Sequence, residues 1–392
     1  MHSPKILVVD DDAIVRTLLR HTLGNEPYTL LETGDGNHAL EIANQELPDL
    51  ILLDVMMPGL DGLDVLRQLQ QQEHTRKIPV IMITALNQDL QISSCLDAGA
   101  VDHIIKPFSP VVVQARVRAA LRAAQHSRAA ASPNAQGSKR GKLIGFIGAK
   151  GGVGVTTVAV NTALTLLTSS DQSVIVAELR PCLGTAAHQL GLKPVLNLKP
   201  LLDYEDPADI NAETVGNCLT PHPYGLRLLL APPTMDDRRE ITAQQATSIV
   251  KTLTEMADCV IIDFPCLPSK ATTAALRCCD YVVLTIELET TSLAAAQAML
   301  EGLSYWGVDE RSIGAVLVPH HQSANLSITM SFARTQLKCP IISVIPADGG
   351  QYLAAFKTGT PLVLSQSDGA TVFAFHELAN RLMQDTVPAL IG

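Results

Sequence analysis

Five residues in the first third of the sequence have side chains that could transfer a phosphoryl group, and each follows a short apolar run. They are, in chain order, Asp10, Asp11, Asp54, Thr84 and Lys106. Three carboxylates that meet at one place cannot all ionise cheaply without a cation, and Mg²⁺ prefers oxygen ligands of this kind. With Mg²⁺ and the lysine ammonium neutralising charge, one carboxylate can attack a phosphoryl group and form an acyl phosphate. The threonine hydroxyl can then donate a hydrogen bond to a phosphoryl oxygen.

A glycine-rich loop in the second part of the chain has the residues to bind phosphate. It follows the apolar run Leu143–Ile147, and its glycines, which leave backbone N–H groups able to close around phosphate oxygens, are Gly148, Gly151, Gly152 and Gly154. Thr156 is suited to ligate Mg²⁺ directly, and Asp263, which ends the run Cys259–Ile262, is suited to hold it through water. The general P-loop pattern, however, requires lysine where this chain has Val155.

The candidate residues of the first module are expected at one sheet edge, because the apolar runs before them are typical of strands. These runs are Lys5–Val9, Leu30–Leu31 with its neighbours, Leu50–Leu53, Pro79–Ile83 and His103–Ile105. They alternate with helix-period segments, and continuous Val, Ile and Leu strands predict a parallel sheet covered on both faces. The functional crevice of such a sheet lies beyond the carboxyl ends of its strands. We expect five strands and five helices, with Asp12 starting the first helix and Ser109 and Pro110 starting the last.

One stretch between the two groups of candidate residues differs from its surroundings. From His126 to Lys142 the residues are small, polar and basic, with no aliphatic side chain larger than that of alanine. This composition is typical of a mobile linker. The sequence therefore predicts a first domain over residues 1–125, a flexible linker over 126–141 and a second domain over 142–392.

Composition narrows the class of protein. Of the 392 residues, 47% are hydrophobic and 17% charged, which is typical of folded, core-forming chains. The 29 Lys and Arg against 39 Asp and Glu give a formal net charge of −10, which argues against a protein that mainly coats nucleic acid. The eight cysteines form no CxxC pair, so disulfide frameworks and Cys-ligated metal sites are disfavoured. Because no apolar run approaches the ~20 residues that cross a bilayer, we expect a cytoplasmic protein.

The first module contains ILVVDDD, PDLILLDVMMPGLDG, IMITA and HIIKPF. These motifs resemble the response-regulator receiver family over roughly the first 122 residues. The resemblance implies a (βα)5, flavodoxin-like fold, with Asp54 as the phosphoacceptor and Thr84 and Lys106 as switch residues. It implies that a receiver Mg²⁺ is held by Asp10, Asp11, Asp54 and the main-chain carbonyl of Met56. His103 stands where the family usually places Tyr or Phe, a departure that bears on the family's aromatic rotamer switch.

The glycine-rich loop reads GAKGGVGVTT, with Lys150 five residues before Val155. It resembles the deviant Walker A motif of the MinD/ParA superfamily, in which a signature lysine reaches across a nucleotide-sandwiched dimer. DCVIIDFP resembles the Walker B strand, and IISVIPAD resembles the segment Ile345–Asp348 near which the base commonly packs. The resemblance implies a P-loop NTPase domain with a mostly parallel sheet. The nucleotide-binding residues that it implies are Gly148, Lys150, Gly151, Gly152, Val153, Gly154, Val155, Thr156, Thr157, Asp263 and Pro346, with Thr156 and Asp263 also holding the nucleotide Mg²⁺.

The second module departs from that superfamily at four positions. Val155 replaces the P-loop lysine, Pro319 replaces an Asn that often reads adenine, and Glu178 and Arg180 occupy the usual Asp-x-Asp pair of the Walker A′ strand. Loss of the positive charge of this lysine weakens stabilisation of the transition state for ATP hydrolysis more than it weakens binding of ATP. We therefore expect ATP binding with slow or negligible hydrolysis, at most a weak ATPase. Two hypotheses follow: ATP joins a homodimer with Lys150 acting in trans, and Arg180 supplies part of the charge that Val155 lacks.

A receiver ahead of an ATPase with an atypical P-loop resembles the CpaE/TadZ proteins of Tad/Flp type IV pilus assembly. The resemblance implies a positioning or assembly factor for a pilus or secretion system, controlled by phosphorelay signal transduction and by ATP-driven homodimerisation. The alternative is an active ParA- or MinD-type ATPase for partitioning or membrane positioning. That alternative calls for an intact catalytic lysine and for a basic surface or a basic amphipathic tail, and the sequence offers none of these clearly.

The implied cofactors are ATP and Mg²⁺. The implied partners are a second copy of the chain, a histidine kinase or other phosphodonor, and pilus or secretion assembly proteins that include a secretion ATPase. We expect no nucleic-acid partner. We expect any association with the membrane or the cell pole to come through partner proteins.

Overall fold

The structure is a computed structural model, and it describes residues 3–24, 26–84, 98–108, 110, 113–114, 116–118, 120–121, 124, 140–170, 172–193, 196–222, 224–235, 239–319, 328–346, 349–365, 369–384 and 387. The chain divides into two compact units, which are Met1–Gly137 with Pro223–Gly225, and Ser138–His222 with Leu226–Gly392. Each unit is described by itself. Most of the predicted linker, up to residue 139, lies outside the described residues. The predicted domain boundaries stay predictions.

The first unit contains the expected parallel sheet. Its strands are β1 (Lys5–Val9), β2 (Thr29–Thr33), β3 (Leu50–Asp54), β4 (Val80–Thr84) and β5 (Asp102–Ile105). They lie in the order β2-β1-β3-β4-β5, and every pair is parallel. The strands therefore point the same way, and the residues that follow β1, β3, β4 and β5 meet at one edge. This confirms the fold expected for the first module.

Acidic side chains begin the helices of the first unit. Asp12 caps α1 (Ala13–Leu23), Asp35 caps α2 (Gly36–Glu46) and Asp61 caps α3 (Gly62–Gln71), and each carboxylate accepts a hydrogen bond from a first-turn N–H. The prediction that Asp12 starts the first helix is confirmed. Further along, residues 110, 113–114, 116–118, 120–121 and 124 are helical. Ser109 and the helix predicted between β4 and β5 fall on residues outside those described.

Helices cover both faces of this sheet because the side chains of its strands alternate. From β1, Leu7 and Val9 pack with side chains of α2 and α3, among them Leu66. Ile6 and Val8 point to the opposite face and pack with Leu19, Leu23, Val113 and Val117. Nearly continuous apolar strands are typical of such two-sided burial.

The second unit is built on a larger and mostly parallel sheet. Its strands are β6 (Lys142–Gly148), β7 (Val174–Glu178), β8 (Thr220–Pro221), β9 (Arg227–Leu229), β10 (Cys259–Asp263), β11 (Tyr281–Glu287), β12 (Ile313–Val318) and β13 (Ile341–Val344). Their order is β13-β12-β11-β6-β10-β7-β9-β8. Only the edge strand β8 pairs antiparallel, with β9, among the described strand pairs. The mostly parallel sheet expected for this module is confirmed.

Helices of the second unit flank this sheet. They are α4 (Val155–Ser169), α5 (Ala186–Gln189), α6 (Ala212–Gly216), α7 (Ala243–Met256), α8 (Lys270–Leu276), α9 (Thr290–Tyr305), α10 (Met330–Gln336), α11 (Gly349–Thr358), α12 (Leu362–Ser365) and α13 (Ala370–Leu382). Helix α7 begins with a capping box formed by Thr242 and Gln245. Its buried Ile249 and Leu253 share one core with Ile147 of β6 and Ile262 of β10. None of the described helices is both long and apolar enough to cross a membrane.

The register of three central strands positions the second candidate site. Strand β10 pairs with β6 on one side and with β7 on the other, and Asp263 lies opposite both Phe146 and Glu178. The glycine-rich loop follows β6, and Arg180 follows β7. Loop, acid and arginine therefore meet at the carboxyl edge of this sheet.

Candidate functional site

The first unit brings a lysine and two aspartates together at its sheet edge. Nζ of Lys106 lies 2.8 Å from Oδ2 of Asp10 and 2.7 Å from Oδ2 of Asp54. Both aspartates are buried, whereas the lysine is only partly covered. The ends of β1, β3 and β5 supply the three residues. One ammonium thus holds both buried carboxylates, which lie 44 residues apart in the chain.

Three carboxylates at this edge could hold a metal ion. Ligand oxygens of Asp10, Asp11 and Asp54 all lie within 4.8 Å of one another, with Asp11 exposed. Hard oxygen donors with one side open to water suit Mg²⁺, which keeps several waters when it binds protein. The amide of Met56 donates to Oδ1 of Asp54 at 3.3 Å, which places its backbone beside the carboxylate. These residues fit the predicted receiver Mg²⁺ site; the role of the Met56 carbonyl stays a prediction.

The carboxylates at this site carry more negative charge than the lysine neutralises. Burial raises the pKa of Asp10, and the nearby charge of Asp54 raises it further, against the opposing effect of Lys106. Burial lowers the pKa of Lys106, but its hydrogen bonds to the two carboxylates outweigh that effect, and its pKa is raised overall. A lysine held protonated among more than one acid neutralises only part of their charge. The remaining negative charge favours a divalent ion.

The backbone around the acids is tightly fitted. A Cβ at Gly62 would collide with the carbonyl oxygen of Asp54, so only glycine is accommodated there. The amide of Lys106 donates to the carbonyl of Thr84 at 2.7 Å, and the Thr84 side chain is buried. The Lys106–Pro107 peptide is cis. Thr84 therefore reaches the same sheet edge as Asp54, and its role as a switch hydroxyl stays a prediction.

Sequence reasoning missed an arginine that supports the acids. Nη1 of Arg16, on α1, donates to the carbonyl oxygens of Asp10 at 2.6 Å and of Asp11 at 3.1 Å. It fixes the backbone that carries the two carboxylates. The sequence does show this arginine, one turn into the helix that follows the acids. Nothing in the sequence, however, shows that its side chain turns back toward the strand.

His103 is held in a largely buried environment. Its Nδ1 is buried and accepts or donates no hydrogen bond among the described residues. Neighbouring Asp102 pairs with Arg116 at 2.5 Å, and its Oδ1 also lies 3.9 Å from Nδ1 of His103. Burial lowers the pKa of His103, and the charge of Arg116 lowers it further. Its surroundings thus disfavour the charged imidazole, in the position where the resemblance to receivers implies an aromatic side chain.

In the second unit the glycine-rich loop runs from β6 into α4. Gly152 and Gly154 have φ values of 84° and 85°, which favour glycine. Gly154 precedes the first residue of α4 and has no side chain to accept the first-turn N–H groups, which therefore remain available to an anion. A Cβ at Gly148 would meet Val155 Cγ2 at 2.7 Å, so the loop closes over the strand end. This is a phosphate-binding geometry without the P-loop lysine.

Three polar side chains meet beneath the loop. Oγ1 of Thr156 donates to Oδ2 of Asp263 at 2.7 Å. Nη2 of Arg180 lies 2.7 Å from the same oxygen. Two polar atoms of this cluster, Oδ1 of Asp263 and Nε of Arg180, are buried and have no hydrogen-bond partner in the described part of the chain. The structure thus brings Thr156 and Asp263 together as predicted and adds Arg180 to them.

The carboxyl of Asp263 is strongly affected by its position. Burial raises its pKa to about 6, and the charge of Arg180, with the hydrogen bond of Thr156, acts in the opposite direction. The charge of Glu178 adds a smaller upward effect. The arginine therefore compensates the buried carboxylate only in part.

Glu178 has a structural role that the sequence did not reveal. Its Oε1 accepts hydrogen bonds from the amides of Thr185 and Ala186, and its Oε2 accepts one from the amide of Ala231. This buried carboxylate thereby ties the start of α5 to the segment after β9. Glu178, at the first position of the Walker A′ pair, thus stabilises the backbone. Arg180, at the second position, is left to bind Asp263.

Lys150 contacts two acidic side chains of its own chain. Its Nζ lies 3.2 Å from Oε2 of Glu287 and also pairs with Glu289. The hydrogen bond to Glu289 raises the pKa of Lys150 despite some desolvation, and the hydrogen bond to Glu287 adds to the effect. Glu287 is the last residue of β11, and Glu289 precedes the first residue of α9. A trans role for Lys150 would require it to exchange these partners.

The remaining predicted nucleotide residues lie around the same loop. Val153 is buried, and Thr157 is half-buried in the first turn of α4. Thr157 also lines a cavity of about 300 Å³, with Asn161, Tyr352 and Phe356. The carbonyl of Pro346 accepts a long hydrogen bond, 3.4 Å, from Thr371. Residues 347–348 of the segment predicted to pack the base lie outside the described residues.

The side chains of the second site do not fit the Mg²⁺ that the sequence predicts there. Thr156 and Asp263 alone would be compatible with a metal, one directly and one through water. The Arg180 guanidinium, however, lies against the carboxylate oxygen that would face the ion. A fixed positive charge at that distance offsets part of the carboxylate's charge and repels a dication.

Known proteins match the first unit by sequence. Residues 6–118 match the family model of the response regulator receiver domain. The alkaline phosphatase synthesis transcriptional regulatory protein PhoP of Bacillus subtilis is 46% identical over 120 residues, which cover 31% of this chain and 49% of the relative. The transcriptional regulatory protein ResD of the same organism is 45% identical over 126 residues, covering 32% and 51%. The chain spans about half the length of the curated relatives that it matches.

Solved structures match the second unit by fold. A ParA family ATPase from Chlorobium tepidum aligns with a TM-score of 0.55 at 18% identity, over 62% of this chain and 99% of that one. The cell division ATPase MinD of Pyrococcus furiosus aligns with a TM-score of 0.53 at 20% identity, over 61% and 97%. Identity at this level shows the fold. The chain thus joins a response regulator receiver domain to a second unit that has the ParA/MinD fold.

Proposed function

We propose that this protein is a positioning or assembly factor for a Tad/Flp pilus or secretion system, controlled by two inputs. The first input is phosphorylation of Asp54, and the second is ATP binding, which joins two copies with little or no hydrolysis. The observation that carries the proposal is a pairing of sites: a complete acid–lysine cluster in one unit, and in the other a glycine-rich loop with Val155 in place of its lysine.

The geometry of the first unit supports phosphoryl transfer to Asp54. Its carboxylate oxygen attacks the phosphorus of a phosphodonor, and the new O–P bond forms as the bond to the donor's leaving group breaks. A bound Mg²⁺ supplies charge neutralisation on the phosphoryl oxygens. Lys106 already lies 2.7 Å from Oδ2 of Asp54 and can contact a phosphoryl oxygen placed there. Thr84, at the end of β4, is positioned to donate to the same group.

The geometry of the second unit supports nucleotide binding without efficient hydrolysis. Backbone N–H groups after Gly154 and the positive end of α4 provide anion binding that needs no lysine. Hydrolysis does need added positive charge, because charge develops on the phosphoryl oxygens in the transition state. Val155 cannot supply that charge, and Lys150 is held by Glu287 and Glu289. The cavity beside Thr157 offers Tyr352 and Phe356 as apolar surface for a sugar or base.

Exposed apolar side chains support association of two copies through the nucleotide edge. Leu183 follows β7 and Leu267 follows β10, and their exposed fractions are 51% and 82%. Both lie in segments that leave the same sheet edge as the glycine-rich loop. Apolar side chains this exposed beside a phosphate site favour a surface that becomes covered when the ligand binds. The proposed cover is the same edge of a second copy.

The proposal is tested by the molar mass of the full-length protein in solution. Size-exclusion chromatography with light scattering is run without ligand, with ATP, with beryllofluoride, and with both. We expect a monomer without ligand and a dimer with ATP, with the equilibrium shifted by beryllofluoride. Lys150→Ala is expected to lose ATP-dependent dimerisation, whereas Lys251→Ala, at an exposed lysine on α7, serves as the matched control and keeps it.

Two results would count against the proposal. The proposed inputs are absent if the protein binds neither beryllofluoride nor adenine nucleotide. They are also absent if neither ligand changes its molar mass. Rapid ATP hydrolysis by the wild-type protein would instead favour the ParA- or MinD-type active ATPase. The pilus assignment is tested separately, by co-purification of the full-length chain with pilus or secretion assembly proteins from its own cells. Absence of every such protein from the purified complexes would contradict it.

A further inference from the structure

An arginine occupies the position at which a P-loop site normally keeps its metal ion. Nη2 of Arg180 lies 2.7 Å from Oδ2 of Asp263, and Oγ1 of Thr156 lies 2.7 Å from the same oxygen. The guanidinium therefore sits beside the two groups that would hold the ion directly and through water. Asp263 is fully buried, and Arg180 is mostly so.

The cluster is incompletely bonded, and its unpaired atoms lie on the side chains that would meet a ligand. Nε of Arg180 is a buried N–H donor without an acceptor among the described residues. Oδ1 of Asp263 is likewise buried without a donor. Buried polar groups normally find a partner in the folded protein or in what it binds. An oxyanion placed under the glycine-rich loop would give the Arg180 donor its acceptor.

The other acidic side chains near this cluster that the structure describes are engaged elsewhere. Glu178, two residues earlier on β7, accepts three backbone hydrogen bonds with its two oxygens. Glu287 and Glu289 both pair with Lys150. Asp263 is thus the anchor of Arg180, whose Nε–H still lacks an acceptor among the described residues. The planar guanidinium fork matches the oxygens of a phosphate.

We propose that the second unit binds its nucleoside triphosphate without a divalent metal ion, with the Arg180 guanidinium in place of Mg²⁺. The inference rests on the proposed function in one respect, namely that the glycine-rich loop binds a nucleotide. Asp263 then acts as a positioning residue for Arg180. The metal-free triphosphate, which carries the larger negative charge, is the preferred ligand. Hydrolysis is slow because one fixed guanidinium replaces both the lysine and the ion.

The inference is tested by isothermal titration of the full-length protein with ATP, in excess Mg²⁺ and in excess EDTA. We expect ATP affinity in EDTA to equal or exceed that in Mg²⁺. Arg180→Ala is expected to weaken binding in EDTA by about ten- to a hundredfold, because it removes hydrogen bonds to a charged ligand. Arg311→Ala, an exposed arginine far along the chain from the loop, is the matched control and is expected to leave both affinities unchanged.

A second variant provides a readout that does not depend on affinity alone. Arg180→Asp places a carboxylate beside Asp263 and should create a site for a divalent ion. Electron paramagnetic resonance is then expected to show that added ATP brings one further bound Mn²⁺ to Arg180→Asp and none to wild type, in which only the first unit binds the ion. Thermal melts of each variant show whether it is folded. If Arg180→Ala does not fold, comparing the ATP affinity of wild type in EDTA and in Mg²⁺ still tests whether binding is metal-free.

The possible failures are distinguishable. Wild-type binding of ATP that weakens tenfold or more in EDTA, or a further Mn²⁺ that wild type binds only when ATP is added, overturns metal-free binding but leaves nucleotide binding intact. Absence of ATP binding in both buffers overturns the proposed function itself. Equal loss of affinity in Arg180→Ala and Arg311→Ala would show that Arg180 has no special role.

Discussion

Nζ of Lys106 lies 2.7 Å from Oδ2 of Asp54, although 52 residues separate the two in the chain. The lysine comes from the end of β5 and the aspartate from the end of β3, with β4 between them in the sheet. The parallel order of the strands thus creates a site that no single segment contains. The same lysine also binds Asp10, so it holds two buried carboxylates before any phosphoryl group arrives.

Asp54→Asn removes the nucleophilic carboxylate while keeping its shape. We expect it to lose beryllofluoride binding, because an amide cannot coordinate beryllium as a carboxylate does, and to lose labelling by a small-molecule phosphodonor. The measurement is fluorine magnetic resonance of the beryllofluoride complex in the full-length protein. Asp64→Asn, an exposed aspartate paired with Arg67 on α3, is the matched control and should bind normally. Equal binding by both variants would rule out Asp54 as the phosphoacceptor.

Lys106→Ala leaves Asp10 and Asp54 buried without their shared cation. Removing one partner from a buried ion pair costs about 3–5 kcal/mol, so we expect the free energy of unfolding of the first unit to fall by roughly that amount. Urea denaturation followed by circular dichroism measures the change. Added Mg²⁺ should restore part of the lost stability, because the ion neutralises the same carboxylates. A variant as stable as wild type, with no response to Mg²⁺, would contradict this account of the site.

Lys150 must leave Glu287 and Glu289 before it can reach a second copy. The double variant Glu287→Gln and Glu289→Gln weakens this hold, so we expect ATP-dependent dimerisation to tighten. The gain should be several-fold and not larger, since such partly exposed pairs contribute little. Light scattering across a dilution series measures the dimer dissociation constant. The control is Glu301→Gln, an exposed glutamate on α9. A weaker dimer in the double variant would mean that the two acids help association.

Sequence reasoning succeeded where a residue's role follows from its own segment. The strands, the cap at Asp12 and the acids at the strand ends can all be predicted from local pattern, because parallel strands place their ends together. It failed for contacts that depend on which strands become neighbours. The Arg180–Asp263 pair joins the residue that follows β7 by two positions to the last residue of β10, 83 positions away in the chain; the two strands are neighbours in the sheet. The hydrogen bonds of Glu178 were missed for a second reason: its partners are backbone amides, which no side-chain pattern reveals.

Val155→Lys restores the lysine that the glycine-rich loop lacks. We expect this single change to raise ATP hydrolysis only slightly, because Arg180 still keeps the metal ion away. Combining it with Arg180→Asp should raise the rate far more than the two single changes together, since charge stabilisation of this kind is worth about 10³–10⁵ in phosphoryl transfer. Phosphate release in excess Mg²⁺ measures the rates. A large increase from Val155→Lys alone would show that the wild-type site accepts Mg²⁺.

The Arg180–Asp263 pair predicts how stability depends on pH. Burial raises the folded-state pKa of Asp263 to about 6, above its ordinary value of 3.8. The folded protein therefore holds this proton over a range in which the unfolded chain releases it. The free energy of unfolding should fall as pH rises from about 4 to about 6, by roughly 3 kcal/mol from this group, and its contribution should then level off.

Arg180→Ala extends that decline to higher pH. Without the guanidinium the folded-state pKa of Asp263 rises further. The free energy of unfolding therefore continues to fall above pH 6, because ionising the buried carboxyl now costs more. We expect the variant to lose little stability relative to wild type at pH 5 and most at pH 8, as measured by urea denaturation at both values. Asp263→Asn carries no charge and should show no such extra loss between the two pH values. Equal destabilisation of Arg180→Ala at pH 5 and pH 8 would mean that the arginine stabilises the fold by packing and not by its charge.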